Sequence, residues 1–211
     1  MLTRSQFAAA SRALVAKHES NPPFSTLLRD WEWIDAFPYG YLARSKRYIR
    51  NSLSQSSADS SQLGDDPGLQ EEEDSATAHT TSEAEWVISQ QFVVFSATFQ
   101  VPALYFTAHK ANGTTLSLDE IMNTKLFKFE IPIGSDANGF ALTLPDVPFP
   151  LLSQGDHPTL GTPCWYLHPC ETSNAVDELF REVMEADWDE ETRLVRWLET
   201  WFMTVGGVLD L

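Results

Sequence analysis

Cysteine is nearly absent: the 211 residues contain two, Cys164 and Cys170. With no apolar export signal after Met1-Leu2-Thr3-Arg4, both are expected to remain thiols rather than pair. Two thiols cannot hold zinc alone. His157 and His168 would have to join them, in a spacing that matches no usual zinc pattern, so neither metal nor cofactor is expected. Long apolar runs are missing as well. Runs such as Phe92 to Phe95 and Phe202 to Val205 fall far short of the about 20 residues that span a bilayer, so no stable membrane insertion is expected. Basic residues are scarce, 14 against 30 acidic ones for a net charge of −16. That balance argues against a nucleic-acid surface. A soluble cytosolic or nuclear chain is the default.

What is present is a globular composition. Hydrophobic residues make up 43% and aromatics 12%, with seven Trp, enough for one domain over 1–211 with a sizeable core. The acidity is local. Nine acids and no Lys or Arg fall in residues 52–85, leaving 21 acids against 14 bases elsewhere. This Ser-, Gln-, Asp- and Glu-rich stretch has too little apolar surface to offset the entropy of ordering, and reads as a disordered insertion. Arg44, Lys46, Arg47 and Arg50 just before it are candidates to hold its acids weakly or to meet an acidic partner.

Hydrophobic periodicity outlines an α+β chain. Residues 3–20 read as a helix, with a Thr3/Gln6 capping box and Phe7, Ala10, Leu14 and Val15 on one face. Asn21-Pro22-Pro23 ends it. Two short strands follow, Trp31 to Ile34 and Tyr41 to Ala43, around a turn at Phe37-Pro38-Tyr39-Gly40. Residues 86–99 and 103–108 are strongly strand-like, with Pro102 between them marking a turn or bulge. Asn112-Gly113 is a turn, and Ser117 to Glu120 opens a short helix with a capping box. Residues 132–155 are loop-rich. Cys164-Trp165-Tyr166-Leu167 then forms a short buried strand. Two closing helices carry apolar stripes, Val176, Leu179, Phe180, Val183 and Met184 in one, Leu194, Trp197, Leu198, Trp201, Phe202 and Val205 in the other. Gly206-Gly207 stops the second. Core packing accounts for the aromatic stripe.

Cys170 is the candidate for chemistry. It follows the buried strand and a His-Pro turn, and a helix begins near Thr172 to Asn174. The unpaired amides of a helix start favour nearby negative charge, and the thiolate is the attacking form of cysteine. Pro169 restricts the backbone just before the sulfur, while Glu171 works against the thiolate. On spacing alone an inert, buried thiol stays open for Cys170, and is the reading for Cys164 within its strand.

Four blocks add a resemblance. Gln100-Val101-Pro102-Ala103-Leu104-Tyr105-Phe106, His157-Pro158-Thr159-Leu160-Gly161, Leu167-His168-Pro169-Cys170, and Trp197-Leu198-Glu199-Thr200-Trp201 through Val205-Gly206 resemble, in wording and order, the autophagy-related protein ten family. Together they cover most of residues 86–211. The resemblance implies a ubiquitin-conjugating-enzyme-like fold, a four-stranded or slightly larger antiparallel sheet flanked by helices. It implies that Cys170 carries autophagy-related protein twelve, a ubiquitin-like modifier, as a thioester. The modifier comes from activating enzyme seven and passes to a lysine of autophagy-related protein five. ATP is consumed by the activating enzyme, so no cofactor is needed. The implied location is cytoplasmic, with recruitment to the site of autophagosome formation.

Departures from the pattern matter. Ubiquitin-conjugating enzymes place a supporting Asn upstream of the cysteine, but no Asn lies between Asn138 and Cys170. His168 is the candidate replacement as a hydrogen-bond donor, with bracing of the turn as its structural alternative. Family members can carry Tyr before the Gln-Val-Pro block, where this chain has Phe99. His157 is expected to be structural. A strand within 86–110 is a candidate for edge-to-edge pairing with a partner's sheet. Two rivals stay open: a cysteine hydrolase using His157 or His168 as base, and a non-catalytic interaction module of the same fold.

Overall fold

The computed structural model describes residues 2–20, 26–50, 85–170 and 172–211. The acidic insertion expected at about 52–85 lies, apart from the backbone of Glu85, outside the described residues. Helix α1 (Arg4–Ser20) starts on the expected capping box, in which the Thr3 N–H and hydroxyl meet Gln6 Oε1 at 2.9 and 3.0 Å and the Gln6 N–H donates back to Thr3 Oγ1 at 3.2 Å. The strands β1 (Glu32–Ile34), β2 (Tyr41–Arg50), β3 (Glu85–Ser96) and β4 (Val101–Lys110) follow, then the short helix α2 (Leu118–Met122) on its Ser117/Glu120 capping box. Strands β5 (Asp136–Ala137), β6 (Ala141–Thr143), β7 (Leu152–Asp156) and β8 (Pro163–Leu167) precede helices α3 (Thr172–Val183) and α4 (Glu190–Val205). All strands join one antiparallel sheet of eight, in the order β1-β2-β3-β4-β8-β7-β6-β5. The α+β expectation holds, with a larger sheet.

Period-two alternation sorts the strand residues onto two faces. Leu42, Tyr48, Val87, Val93, Phe95, Leu104, Phe106, Trp165 and Leu167 share the main core with Phe7 and Leu14 of α1, Val176 and Phe180 of α3, and the stripe of α4. Their neighbours Tyr41, Phe92, Val94 and Cys164 form a small second cluster on the opposite face. Within the main core Phe202 is fully buried, its ring 5.2 Å from Trp31 and 5.1 Å from Trp201. Truncation by Phe202→Ala should cost about 3–5 kcal/mol, read as a lowered urea midpoint at unchanged slope.

Several boundaries differ from the sequence reading. Strand β2 continues to Arg50, because its inward basic residues are satisfied inside. Buried Arg44 donates through Nε to Gln91 Oε1 at 2.8 Å and through Nη1 to the Leu27 and Arg29 carbonyls, while Lys46 pairs with Asp210 at 2.8 Å. Those two bases are therefore engaged within the fold rather than offered to an acidic partner. The turn between β3 and β4 lies at residues 97–100, with Gln100 at φ 54°, and Pro102 sits inside β4. Pro102 is tolerated because β4 pairs with β8 only at Tyr105 and Phe106, so no ladder bond toward β8 is required of it. Strand β3 is flanked on both sides and has no edge for a partner's strand, whereas β4 meets β8 only at Tyr105 and Phe106, so within 86–110 the candidate for edge pairing narrows to β4. The stripe of α3 is narrower than expected. Val176 and Phe180 are buried, but Leu179, Val183 and Met184 are about half exposed.

Candidate active site

Strand β8 ends where its sequence requires. Cys164 and Tyr166 face one side, Trp165 and Leu167 the other, and Pro169 has no N–H with which to continue a ladder. The His168 N–H makes a last bond, to the Leu151 carbonyl at 3.0 Å, and the Pro169 carbonyl accepts from the Thr172 N–H at 3.2 Å as the chain enters α3. Cys170 is thus held at the exit of β8, part-exposed, just ahead of the first turn of α3. The N-terminal end of a helix dipole favours negative charge nearby.

A surface cavity of about 350 Å³ opens beside the sulfur, lined by Leu144, residues 146–151, His168 and Cys170. That volume admits a small group or a short extended segment rather than a folded body. Its wall is the β6–β7 loop, stiffened by Pro145, Pro148 and Pro150 and fixed at its end by the Leu151 N–H bond to the Leu142 carbonyl at 2.8 Å. Asp146 supplies the carboxylate of this wall. Nothing in the sequence alone assigns this loop a role. The one signal available is Pro148-Phe149-Pro150, an aromatic held between two rigid residues in a proline-rich loop.

His168 lines the same cavity and is wired to the cysteine. Its Nδ1 accepts the Cys170 N–H at 3.4 Å, so the proton of the neutral ring belongs on Nε2. Burial holds the imidazole below its ordinary pKa, keeping it neutral at physiological pH. Aromatic rings surround it: Phe149 stacked at 5.8 Å and 12°, Phe99 edge-on at 5.5 Å, and Tyr166 at 6.3 Å. Phe99, the residue before the Gln-Val-Pro block, is therefore part of this site, but brings a ring without a hydroxyl.

The other candidates lie elsewhere. His157 sits in the β7–β8 turn, at the far end of β8 from Cys170. A strand rises about 3.3 Å per residue, so five-residue β8 alone separates them by roughly 16 Å. Its Nδ1 accepts the Thr159 and Leu160 N–H groups, both at 3.1 Å, and its carbonyl takes the Gly161 N–H at 2.8 Å. Gly161, at φ 65°, supplies the left-handed residue that closes this turn. Nε2 has no hydrogen-bond partner among the described residues, but the ring stands edge-on to Tyr41 at 4.7 Å and Phe92 at 4.9 Å. The structural expectation for His157 holds. Cys164 is 3% exposed and burial raises its thiol pKa, the environment of an inert cysteine. Asn138 spends its side-chain oxygen on the Phe140 and Ala141 N–H groups of the β5–β6 turn. Among the described residues, no three His, Cys, Asp or Glu side chains gather as a metal site.

Desolvation depresses the His157 pKa to about 4. The unfolded chain, with an ordinary value near 6.5, then binds more protons than the folded one between those limits. Stability from this residue is intact above pH 6.5 and lost as pH falls toward 4, by on the order of 3 kcal/mol. His157→Asn keeps an acceptor for the two turn amides but does not titrate. Urea unfolding across pH 4–7 should show a shallower acid loss in the variant than in the wild type.

A family described as autophagocytosis associated protein, active-site domain, matches residues 6–211. The chain belongs to that family. Among its relatives, the ubiquitin-like-conjugating enzyme ATG10 of Arabidopsis thaliana is 29% identical over 220 residues, covering 100% of this chain and 92% of the relative. The Homo sapiens protein of the same name is 25% identical over 191 residues, covering 86% and 79%. That of Dictyostelium discoideum is 26% identical over 131 residues, covering 59% and 51%. The resemblance carried by the four sequence blocks is borne out, and the family match spans the cavity wall, His168 and Cys170 alike. No helix among the described residues is long and apolar enough to cross a membrane.

Proposed function

We propose that the chain is a ubiquitin-like-protein conjugating enzyme of autophagy, a single catalytic domain over 1–211 that carries its modifier on Cys170. The observation that carries this reading is a part-exposed thiol at the exit of β8, open to a cavity of about 350 Å³, in a chain whose family match runs over residues 6–211. The Cys170 thiolate attacks the carbonyl of the activating enzyme's thioester, forms a new carbon–sulfur bond and expels the donor thiolate. A lysine amine of the acceptor then attacks the new thioester. It gives up a proton to solvent as the isopeptide forms and Cys170 leaves as thiolate. His168 Nε2–H donates to the acyl oxygen as negative charge builds there. Asp146, on the cavity wall, attracts the incoming lysine as its ammonium, which first releases one proton to solvent to become the attacking amine. The modifier is autophagy-related protein twelve, the activating enzyme is protein seven and the acceptor lysine belongs to protein five. The reaction is cytoplasmic and needs no cofactor on this chain.

The hydrolase reading lacks a base. His157 is at the wrong end of β8, and the one lone pair of His168 already faces the Cys170 N–H, leaving a donor rather than an acceptor for the sulfur. Incubating the full chain with activating enzyme, ATP and modifier tests the proposal. A modifier adduct that reductant releases is the expected product. Release of free modifier without an adduct, or no reaction at all, overturns conjugation.

A further inference from the structure

The ring of His168 can serve an acyl oxygen only if its plane is fixed, and its own backbone bond is too long to fix it. The Nδ1 contact to the Cys170 N–H spans 3.4 Å, at the weak end of the useful range. Phe149 makes the one nearly parallel ring contact, at 12°. It reaches this position from a loop whose neighbours restrict it on both sides, Pro148 and Pro150. The loop is then tied to the same histidine a second time, by the Leu151 carbonyl accepting the His168 N–H at 3.0 Å. Yet Phe149 is 50% exposed, so burial accounts for only part of its placement. Phe99, from the β3–β4 turn, closes the other side edge-on.

We propose that Phe149 is a positioning residue for the transfer reaction: stacked on His168, it holds the imidazole plane so that Nε2–H meets the acyl oxygen on Cys170. This rests on the conjugation reading, and deepens it by giving the β6–β7 loop a task in bond making. The titratable groups around the ring are Asp146 on the loop, Tyr166 on β8 and Cys170 itself; the turn at residues 97–100 contributes none. Loss of the Phe149 ring admits water to the imidazole and lets its plane turn.

The test loads the full chain on Cys170 through the activating enzyme and ATP, then chases the thioester with free lysine. Phe149→Ala should slow discharge about ten- to a hundredfold, the scale of a small misplacement of a catalytic group, while Phe149→Tyr and Phe149→Trp retain most of the rate. In a His168→Ala background Phe149→Ala should add nothing, because both changes remove one interaction. An NMR titration of the His168 ring should move up toward the ordinary histidine range in Phe149→Ala but not in Phe149→Trp. Full-rate discharge by Phe149→Ala, or a loss that multiplies with that of His168→Ala, overturns the proposal alone. A wild-type chain that never loads overturns the conjugation reading and the proposal with it.

Discussion

Cys170→Ser should trap the modifier as an ester that withstands reductant and does not pass on to lysine. A serine hydroxyl at the exit of β8 occupies the place of the thiol and meets the same cavity, so encounter with the activating enzyme is preserved. The ester it forms has a far poorer leaving group than a thiolate, so transfer falls to background while the adduct accumulates. Gel analysis with and without reductant reads both effects. Cys164→Ser is the matched control: the residue is 3% exposed and belongs to the cluster on the opposite face, and loading should continue. Full transfer by Cys170→Ser would end the assignment of the sulfur, and absence of any adduct on either form would favour a non-catalytic module.

The second large effect is expected at His168. Removing one oxyanion donor costs about 10²–10³ in rate, and His168→Ala should slow lysine discharge by that factor while the protein stays folded. Two conservative changes separate donor from brace. Glutamine can set an amide N–H near the position of Nε2, whereas asparagine can reproduce only the acceptor that meets the Cys170 N–H. If the donor role is right, His168→Gln recovers more discharge than His168→Asn. The reverse order would make His168 a brace for the turn. Because burial keeps this imidazole below its ordinary pKa, the ring is neutral near pH 7, and discharge should not fall there from titration of His168.

Cys170 and the turn that holds it were legible in the sequence because they are local. A short apolar strand, a proline that ends it and a helix start are written in consecutive residues. The same holds for α1, α2 and α4, whose caps and stripes survive in the fold. What surrounds Cys170 was not legible. Phe149 and Phe99 reach His168 from two different loops, and no periodicity links them. Strands β5, β6 and β7 were hidden because they are short and carry Ser, Gln, Gly and Asp, which pair by backbone alone. The inward run of β2 was hidden for a related reason: Arg44 and Lys46 look exposed until Gln91 and Asp210 meet them. On α3 the apolar pattern overstated burial, since the helix presses only Val176 and Phe180 into the main core.

The pairing of Arg50 with Glu85 has a consequence for the long acidic connection between them. Strand β3 is 12 residues long, and at about 3.4 Å per residue its ends stand roughly 37 Å apart. The anchors of residues 51–84 are at one end, and the turn that touches His168 is at the other. Since the two anchor residues are already neighbours, a tight hairpin would span them with no strain on the sheet. A change of length in that link therefore need not move either anchor, and the sheet that places the thiol would keep its register.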